Sequence, residues 1–125
     1  MPAQIVLVHD DPDFNISATL ALTVAGYGVA PFVDPVVALN ALEAARTVEV
    51  LVTDIRFGPD KPHGLALART ARRMRPDIRV LFTAAPELAP FAVGLGDFIA
   101  VPVTPTHLVE GVRRLLTAAA DFRPY

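Results

Sequence analysis

The sequence predicts an α/β fold in which a parallel β-sheet is covered by helices on both faces. Five apolar runs of strand length recur along the chain, at 5–8, 29–33, 48–53, 78–83 and 97–101. Several of these runs are continuously apolar rather than alternating, which is typical of strands buried on both sides. Helical patterns separate the runs, and strands that alternate with helices form parallel sheets through right-handed crossovers.

The composition limits the classes of protein to which the chain can belong. Its 125 residues, of which 53% are hydrophobic, match one domain with one core, so we expect a single domain over 1–125 with no output domain. The net charge of −2 does not indicate a nucleic acid or an anionic membrane as partner. The absence of cysteine excludes disulfides and thiolate metal sites. No long apolar segment or signal peptide is recognisable, which favours a cytoplasmic protein.

The first two helical patterns have recognisable ends. Residues 13–25 carry apolar side chains at helical spacing, and Gly26 is placed to end that helix. Residues 35–45 follow Asp34, a good N-cap residue, and begin with a proline at the first helical position, where proline is tolerated.

The later helical patterns are also bounded by their own residues. Residues 64–75 end before Pro76, because the residue before a proline disfavours the helical conformation. Residues 105–119 follow Thr104 as the predicted cap. The segment 84–96 contains two prolines and two glycines, so we expect a helix of two turns at most, irregular or mobile.

Acidic residues follow two strands that we expect to be neighbours. Ligands of parallel sheets bind at the carboxyl ends of the strands, where Asp10 and Asp11 follow the first strand and Asp54 follows the third. Thr83 ends the fourth strand, beside the same edge. Carboxylates can hold Mg²⁺, and Mg²⁺ serves phosphoryl transfer by neutralising charge on the transferring group. The alternative is that these acids are solvated loop residues. Because three acids converge, we favour this alternative less.

Four segments of the chain resemble a known family. They are IVLVHDDPDF, VLVTDIRFGPDKPHGLAL, VLFTAAPE and DFIAVPVTPTHLVEGV, and each follows the matching strand in the matching order. With them the chain is similar, from end to end, to the receiver domains of response regulators in two-component signalling. The resemblance implies a flavodoxin-like (βα)5 fold, doubly wound, with strand order 2-1-3-4-5. It also implies a signalling module rather than an enzyme, with a histidine kinase or another signalling protein as partner.

The resemblance assigns roles to the acidic residues. The residue matching Asp54 accepts a phosphoryl group from a kinase phosphohistidine. Asp10 matches the acid that binds Mg²⁺ directly, and the backbone carbonyl of Arg56 would complete that set together with Asp54. His9 falls where the family has the first acid of the pair, and Asp11 occupies the next position as a further candidate for the metal.

The resemblance also implies a switch. Thr83 matches the hydroxyl that bonds a phosphoryl oxygen, and Phe98 matches the aromatic residue that follows it inward. The family has a cis bond before the proline that corresponds to Pro102, so we expect Val101–Pro102 to be cis.

Two positions depart from the family pattern. Val101 stands where the family has a lysine that offsets the phosphoryl charge, and His9 replaces a carboxylate. Both changes weaken the expected binding of Mg²⁺ and of phosphate. We therefore favour a stand-alone, atypical receiver that signals through protein contacts with impaired phosphorylation switching. The alternative is a fully phosphorylatable receiver in which Arg56, or the single lysine Lys61, replaces the missing cation.

Other sites receive less support. His63 and His107 are isolated, and we expect both on the surface. A zinc site of His9, His63 and Asp10 would match no known spacing.

The stretch PFAVGLG (90–96) is similar to the motif of the FATGUY subgroup of single-domain receivers. Phe91, Ala92, Gly94 and Leu95 match that motif, whereas the other two positions do not.

Overall fold

The structure, a computed structural model, describes residues 4–44, 47–57 and 63–121. Five strands alternate with five α-helices, as the sequence predicts. In chain order they are β1 (Ile5–Val8), α1 (Pro12–Val24), β2 (Val29–Phe32), α2 (Pro35–Ala44), β3 (Val50–Thr53), α3 (Gly64–Met74), β4 (Arg79–Ala84), α4 (Ala89–Ala92), β5 (Asp97–Ala100) and α5 (Pro105–Asp121).

The five strands form one parallel sheet in the order β2-β1-β3-β4-β5, which confirms the predicted topology. Val8 of β1 pairs with Thr53 of β3, which in turn pairs with Phe82 of β4. β1 and β3 therefore end level with each other, and β4 continues two residues further, to Ala84. The residues that follow them meet at one edge of the sheet, which is where parallel sheets bind ligands.

Two apolar clusters lie on opposite faces of the sheet because alternate side chains of a strand point to opposite sides. The α2–α4 face joins Val6, Leu51 and Phe82 to α2, α3 and α4. The α1–α5 face joins Leu7, Val52, Leu81 and Ile99 to α1 and α5. Most of these strand residues are fully buried, as continuous apolar runs predict.

The predicted caps are confirmed. The Val36 N–H donates to Oδ1 of Asp34 (2.8 Å), and the His107 N–H donates to Oγ1 of Thr104 (3.1 Å). Gly26 follows α1 with a φ of +103°, a conformation that residues with a Cβ rarely adopt. Both ends of β1, the end of β3 and the starts of several other elements are as predicted, and the remaining ends differ by one or two residues, as is usual where helices and strands fray.

The segment between β4 and β5 is short and irregular, as predicted. It holds a 3₁₀ turn (Pro86–Leu88), the four-residue helix α4 and a turn in which Gly94 has a φ of +83°. The N–H groups of Leu95 and Gly96 both donate to the carbonyl of Ala92, which closes the turn. Its prolines and glycines leave no room for a longer helix.

Among the described residues, none of the helices combines the length and the apolar character that crossing a membrane requires.

Candidate functional site

The predicted site residues converge at the carboxyl edge of the sheet. Ligand atoms of His9, Asp10 and Asp54 all lie within 4.8 Å of one another. The predicted meeting of Asp10 with Asp54 is therefore confirmed.

The alternation of side chains explains which residues share this site. His9, Asp54, Thr83 and Val101 each lie two positions beyond a strand residue of the cluster on the α1–α5 face. They therefore continue that face at the carboxyl ends of β1, β3, β4 and β5, with Thr83 still inside β4, and three of the four side chains are polar. This explains why residues from four separate segments share one side of the sheet edge.

Asp54 is the most buried carboxylate of the group, with 16% of its side chain exposed. Its Oδ1 accepts hydrogen bonds from the N–H groups of Ile55 (2.6 Å) and Arg56 (3.4 Å). Burial raises the pKa of Asp54, because desolvation penalises the charged form, and the nearby Asp10 charge adds to that rise. His9 and the two N–H groups oppose it. Because Oδ1 is engaged with the backbone, Oδ2 is the oxygen left for a ligand.

The backbone of Asp54 rests on the beginning of α3. The Gly64 N–H donates to the carbonyl of Ile55 (2.8 Å), and a Cβ at residue 64 would lie 1.8 Å from the carbonyl oxygen of Asp54. Only glycine permits this approach, so Gly64 positions the chain that carries the carboxylate.

His9 is held firmly, with 7% of the residue exposed. Its ring stacks on Phe14 with 4.2 Å between centroids, and Asn15 Nδ2 donates to the His9 carbonyl (2.8 Å). The Asp11 N–H donates to His9 Nδ1 (3.3 Å). His9 Nε2 lies 3.4 Å from Asp54 Oδ2 and has no hydrogen-bond partner in the described part of the chain. The ring therefore presents a nitrogen to the acidic group.

Asp11, the further candidate for the metal, has a second role in the structure, and its part in metal binding stays a prediction. Asp11 is the N-cap of α1, and its Oδ1 accepts hydrogen bonds from the N–H groups of Asp13 (3.0 Å) and Phe14 (3.4 Å). Its backbone is extended (φ −87°, ψ 112°), as is usual for an N-cap residue, and the group of potential ligands that lie together in the described residues is formed by His9, Asp10 and Asp54. Helix capping therefore accounts for this acid.

An open cleft of about 630 Å³ borders the group, between α1 and the segment that joins β5 to α5. Its lining includes His9, Asp54, Val101, Pro102 and Phe14. The Val101–Pro102 peptide bond is cis, as predicted, and the Val101 N–H donates to the carbonyl of Ala84 (2.9 Å). A half-buried apolar side chain thus stands beside Asp54 where the resemblance implies an ammonium group.

The two predicted switch residues lie on opposite faces of the sheet. Thr83 is fully buried, and its hydroxyl has no hydrogen-bond partner among the residues that the structure describes. Phe98 pairs in register with Phe82 and packs, half-buried, against the cluster of the α2–α4 face. Thr83 therefore lies on the α1–α5 face, which the acidic group also occupies, and Phe98 lies on the α2–α4 face.

Arg56 and Lys61 are the two candidate replacements for the missing lysine. Arg56 is exposed, two residues beyond Asp54, whereas Lys61 lies outside the described residues. His63 and His107 are exposed, as predicted.

These donors fit a divalent cation. Asp10 and Asp54 supply carboxylate oxygens, which Mg²⁺ prefers, and their negative charges have no lysine or arginine partner among the described ion pairs. His9 adds a nitrogen that the family pattern lacks.

Three positions that hold the site together were not predicted from the sequence. Phe14 stacks on His9, and Gly64 allows α3 to approach the backbone of Asp54. Buried Asn15 donates to the carbonyls of His9 (2.8 Å) and Phe32 (3.1 Å). The position of Asn15 four residues after the cap Asp11, on the inner side of α1, was the one available signal.

No protein-family model matches the chain. Among solved structures, a response regulator receiver protein from Sinorhizobium medicae is 28% identical, with a TM-score of 0.83 over 94% of this chain and 96% of that one. The BeF3-activated DrrB receiver domain is 27% identical, with a TM-score of 0.77 over 94% and 99% of the two chains. A response regulator from Burkholderia pseudomallei with a phosphorylated aspartic acid, calcium ion and citrate is 22% identical, with a TM-score of 0.76 over 95% and 72%. The predicted resemblance to receiver domains is confirmed for the fold.

Proposed function

We propose that this chain, which has the CheY-like fold of response regulator receiver domains, acts in two-component signalling as an atypical receiver. Asp54 is its phospho-acceptor, and a histidine kinase or another signalling protein is its partner in the cytoplasm. The observation that carries the proposal is the Asp54 carboxylate, 16% exposed at the sheet edge beside Asp10. On this proposal the domain is a signalling module and not an enzyme.

The arrangement suits nucleophilic attack by one oxygen of Asp54. The backbone N–H groups of Ile55 and Arg56 orient Oδ1, which leaves Oδ2 to attack phosphorus while the bond to the donor breaks. A divalent cation held by Asp10, Asp54 and the backbone carbonyl of Arg56 would supply positive charge for the phosphoryl oxygens. Burial of the carboxylate excludes water from one side of the reacting oxygen.

The same geometry supports impaired switching. A lysine at position 101 would give phosphorylated Asp54 a charge-assisted hydrogen bond, worth about 1.5–3 kcal/mol, and Val101 cannot. The phosphorylated form therefore lacks much of the free energy that would draw Thr83 towards the phosphoryl group. We propose that the domain binds its protein partner without requiring phosphorylation.

The test is intact-mass spectrometry after incubation with phosphoramidate and Mg²⁺. Wild-type protein should slowly gain one phosphoryl group, and Asp54→Asn should gain none. A phosphoryl group on both proteins, or on neither even when Val101→Lys is introduced, would exclude Asp54 as the acceptor. Partner binding by Asp54→Asn, measured with the kinase encoded nearest to this protein, should equal that of wild type.

A fully phosphorylatable receiver is the second candidate. Arg56 favours it, because this exposed guanidinium is two residues from Asp54 and forms none of the ion pairs found among the described residues. On that alternative, Arg56→Ala should slow phosphorylation strongly and Val101→Lys should restore the rate. Lys61→Ala tests the other predicted cation in the same way.

A further inference from the structure

The identity of the metal is the part of the site that the family pattern does not explain. In this chain the donor group is one imidazole and two carboxylates, from His9, Asp10 and Asp54. Magnesium strongly prefers oxygen ligands, whereas imidazole suits first-row transition metals such as Fe²⁺, Ni²⁺ and Zn²⁺. The replacement of an acid by His9 therefore changes the chemistry of the site as well as its charge.

The imidazole nitrogen is directed into the acidic group. His9 Nε2 is buried, has no hydrogen-bond partner in the described structure and lies 3.4 Å from Asp54 Oδ2. Two ligands about 2.0–2.1 Å from one tetrahedral metal ion are separated by about 3.4 Å. A buried, unpartnered nitrogen at this separation from a carboxylate oxygen matches a pair of metal ligands.

The surroundings of His9 fix the ring before any metal arrives. The ring is stacked on Phe14 at 4.2 Å, and its backbone carbonyl accepts a hydrogen bond from buried Asn15. Binding through Nε2 would require the ring proton on Nδ1, which would replace the long hydrogen bond that Nδ1 accepts from the Asp11 N–H (3.3 Å). The stacking on Phe14 and the hydrogen bond from Asn15 do not depend on the position of that proton, so they hold the ring in either tautomer.

We propose that this site binds a first-row transition-metal dication in preference to Mg²⁺, with His9 Nε2 and the carboxylates of Asp10 and Asp54 as ligands. The inference rests on the proposed function, because it concerns the cation of that same site. A dication would neutralise the two carboxylates. That charge balance suits a site where Val101 has replaced the family cation.

Calorimetric titration of metal-free, untagged protein with MgCl₂, MnCl₂ and ZnCl₂ tests the preference without any phosphodonor. Zn²⁺ should bind at least about a hundredfold more tightly than Mg²⁺, with Mn²⁺ between them. His9→Asp should lower this ratio at least about tenfold by strengthening Mg²⁺ and weakening Zn²⁺ binding. The variant His9→Asn carries a side chain of the same shape as aspartate but without its charge. It should weaken Zn²⁺ binding without strengthening Mg²⁺ binding.

The matched controls are the other two histidines, His63 and His107, which are both exposed and are not part of the group of potential ligands found among the described residues. The double variant His63→Asn with His107→Asn should bind Zn²⁺ as wild type does, because the chain has three histidines and no cysteine. Circular dichroism confirms that each variant is folded. Absorption of bound Co²⁺ in the visible range gives a second measurement, and its band should be lost in His9→Asn and kept in the double variant.

Three results would overturn the proposal: Mg²⁺ binding as tightly as Zn²⁺ in wild type, a ratio unaffected by His9→Asp, or Zn²⁺ binding that is lost in the double variant. These failures are distinguishable from failure of the proposed function. The mass assay for phosphorylated Asp54 can succeed with Mg²⁺ whatever the metal preference. Tight Zn²⁺ binding can likewise be found in a protein that never takes up phosphate.

Discussion

Gly64 at the beginning of α3 gives the sharpest test of how the site is held together. In Gly64→Ala the new Cβ would lie 1.8 Å from the carbonyl oxygen of Asp54 and 3.0 Å from Cα of Ile55. The first distance is about 1.2 Å short of the 3.0 Å below which real Cβ contacts essentially never fall. Both opposing atoms belong to the main chain, so only a movement of α3 away from Asp54 relieves the clash.

The expected cost follows from these contacts. Forcing an extra carbon into a packed position costs about 1–3 kcal/mol. Movement of α3 also weakens the hydrogen bond from the Gly64 N–H to the Ile55 carbonyl, which contributes about 1 kcal/mol. We therefore expect Gly64→Ala to lower the free energy of unfolding by roughly 2–4 kcal/mol, although alanine is otherwise the better helix former.

Gly111→Ala is the matched control, because it adds the same methyl group to a glycine within α5. Its Cβ would meet side-chain tips, at 2.9 Å from Ile99 Cδ1 and 3.3 Å from Leu81 Cδ2. These tips can move, and the gain in helix propensity of about 1 kcal/mol offsets the crowding. The net change should stay within about 1 kcal/mol.

Urea unfolding followed by circular dichroism measures both variants, with the free energies obtained by linear extrapolation. Metal titration provides a second measurement, and Gly64→Ala should weaken binding at Asp54 while Gly111→Ala leaves it unchanged. Equal stability losses in the two variants, or a loss below about 1 kcal/mol in Gly64→Ala, would refute the close approach of α3 to Asp54.

Three further predictions concern the site. Because burial raises the pKa of Asp54, the stability that its protonated form contributes is fully present below the ordinary aspartate pKa of 3.8 and is lost as pH rises through the raised pKa of the folded state. Urea unfolding at a series of pH values should therefore show that the free energy of unfolding of Asp54→Asn rises relative to that of wild type across this pH range. A difference between the two that stays constant with pH would contradict this. Thr83→Val should raise the free energy of unfolding by about 1 kcal/mol, because it removes a buried hydroxyl without a partner, and a loss above 1 kcal/mol in chemical denaturation would show that the hydroxyl is bonded. Val101→Lys combined with His9→Asp should raise both the Mg²⁺ affinity and the phosphorylation rate of Asp54, as measured by calorimetry and intact mass. Wild-type protein that reacts as fast as this double variant would show that another cation already serves the site.

Local features of the sequence determined the elements and their ends. Proline limits the backbone of its own residue and of the residue before it, and Asp34 and Thr104 cap helices through groups two or three residues away. These effects act within one helical turn, so they can be recognised without knowledge of the fold. The same reasoning limited α4 to its short length from the prolines and glycines of 84–96.

The candidate site was only partly predictable, because it depends on contacts between elements as well as on local features. Convergence of Asp10 and Asp54 follows from parallel strands of equal register, which an alternating pattern of strands and helices already implies. The resemblance to receiver domains matched Thr83, Phe98 and Val101 to family positions, and the structure has Thr83 near the end of β4, Phe98 within β5 and Val101 directly after β5.

The direction of each side chain was decided by the tertiary structure alone. Asp10 and Asp11 are adjacent and chemically identical, yet one joins the acidic group and the other caps α1. The backbone angles at the start of α1 separate them, and those angles depend on how the helix packs against the sheet. The unpartnered nitrogen of His9 and the contact between Gly64 and Asp54 arise likewise between residues distant in sequence. Their geometry depends on packing between elements, and no local propensity encodes it.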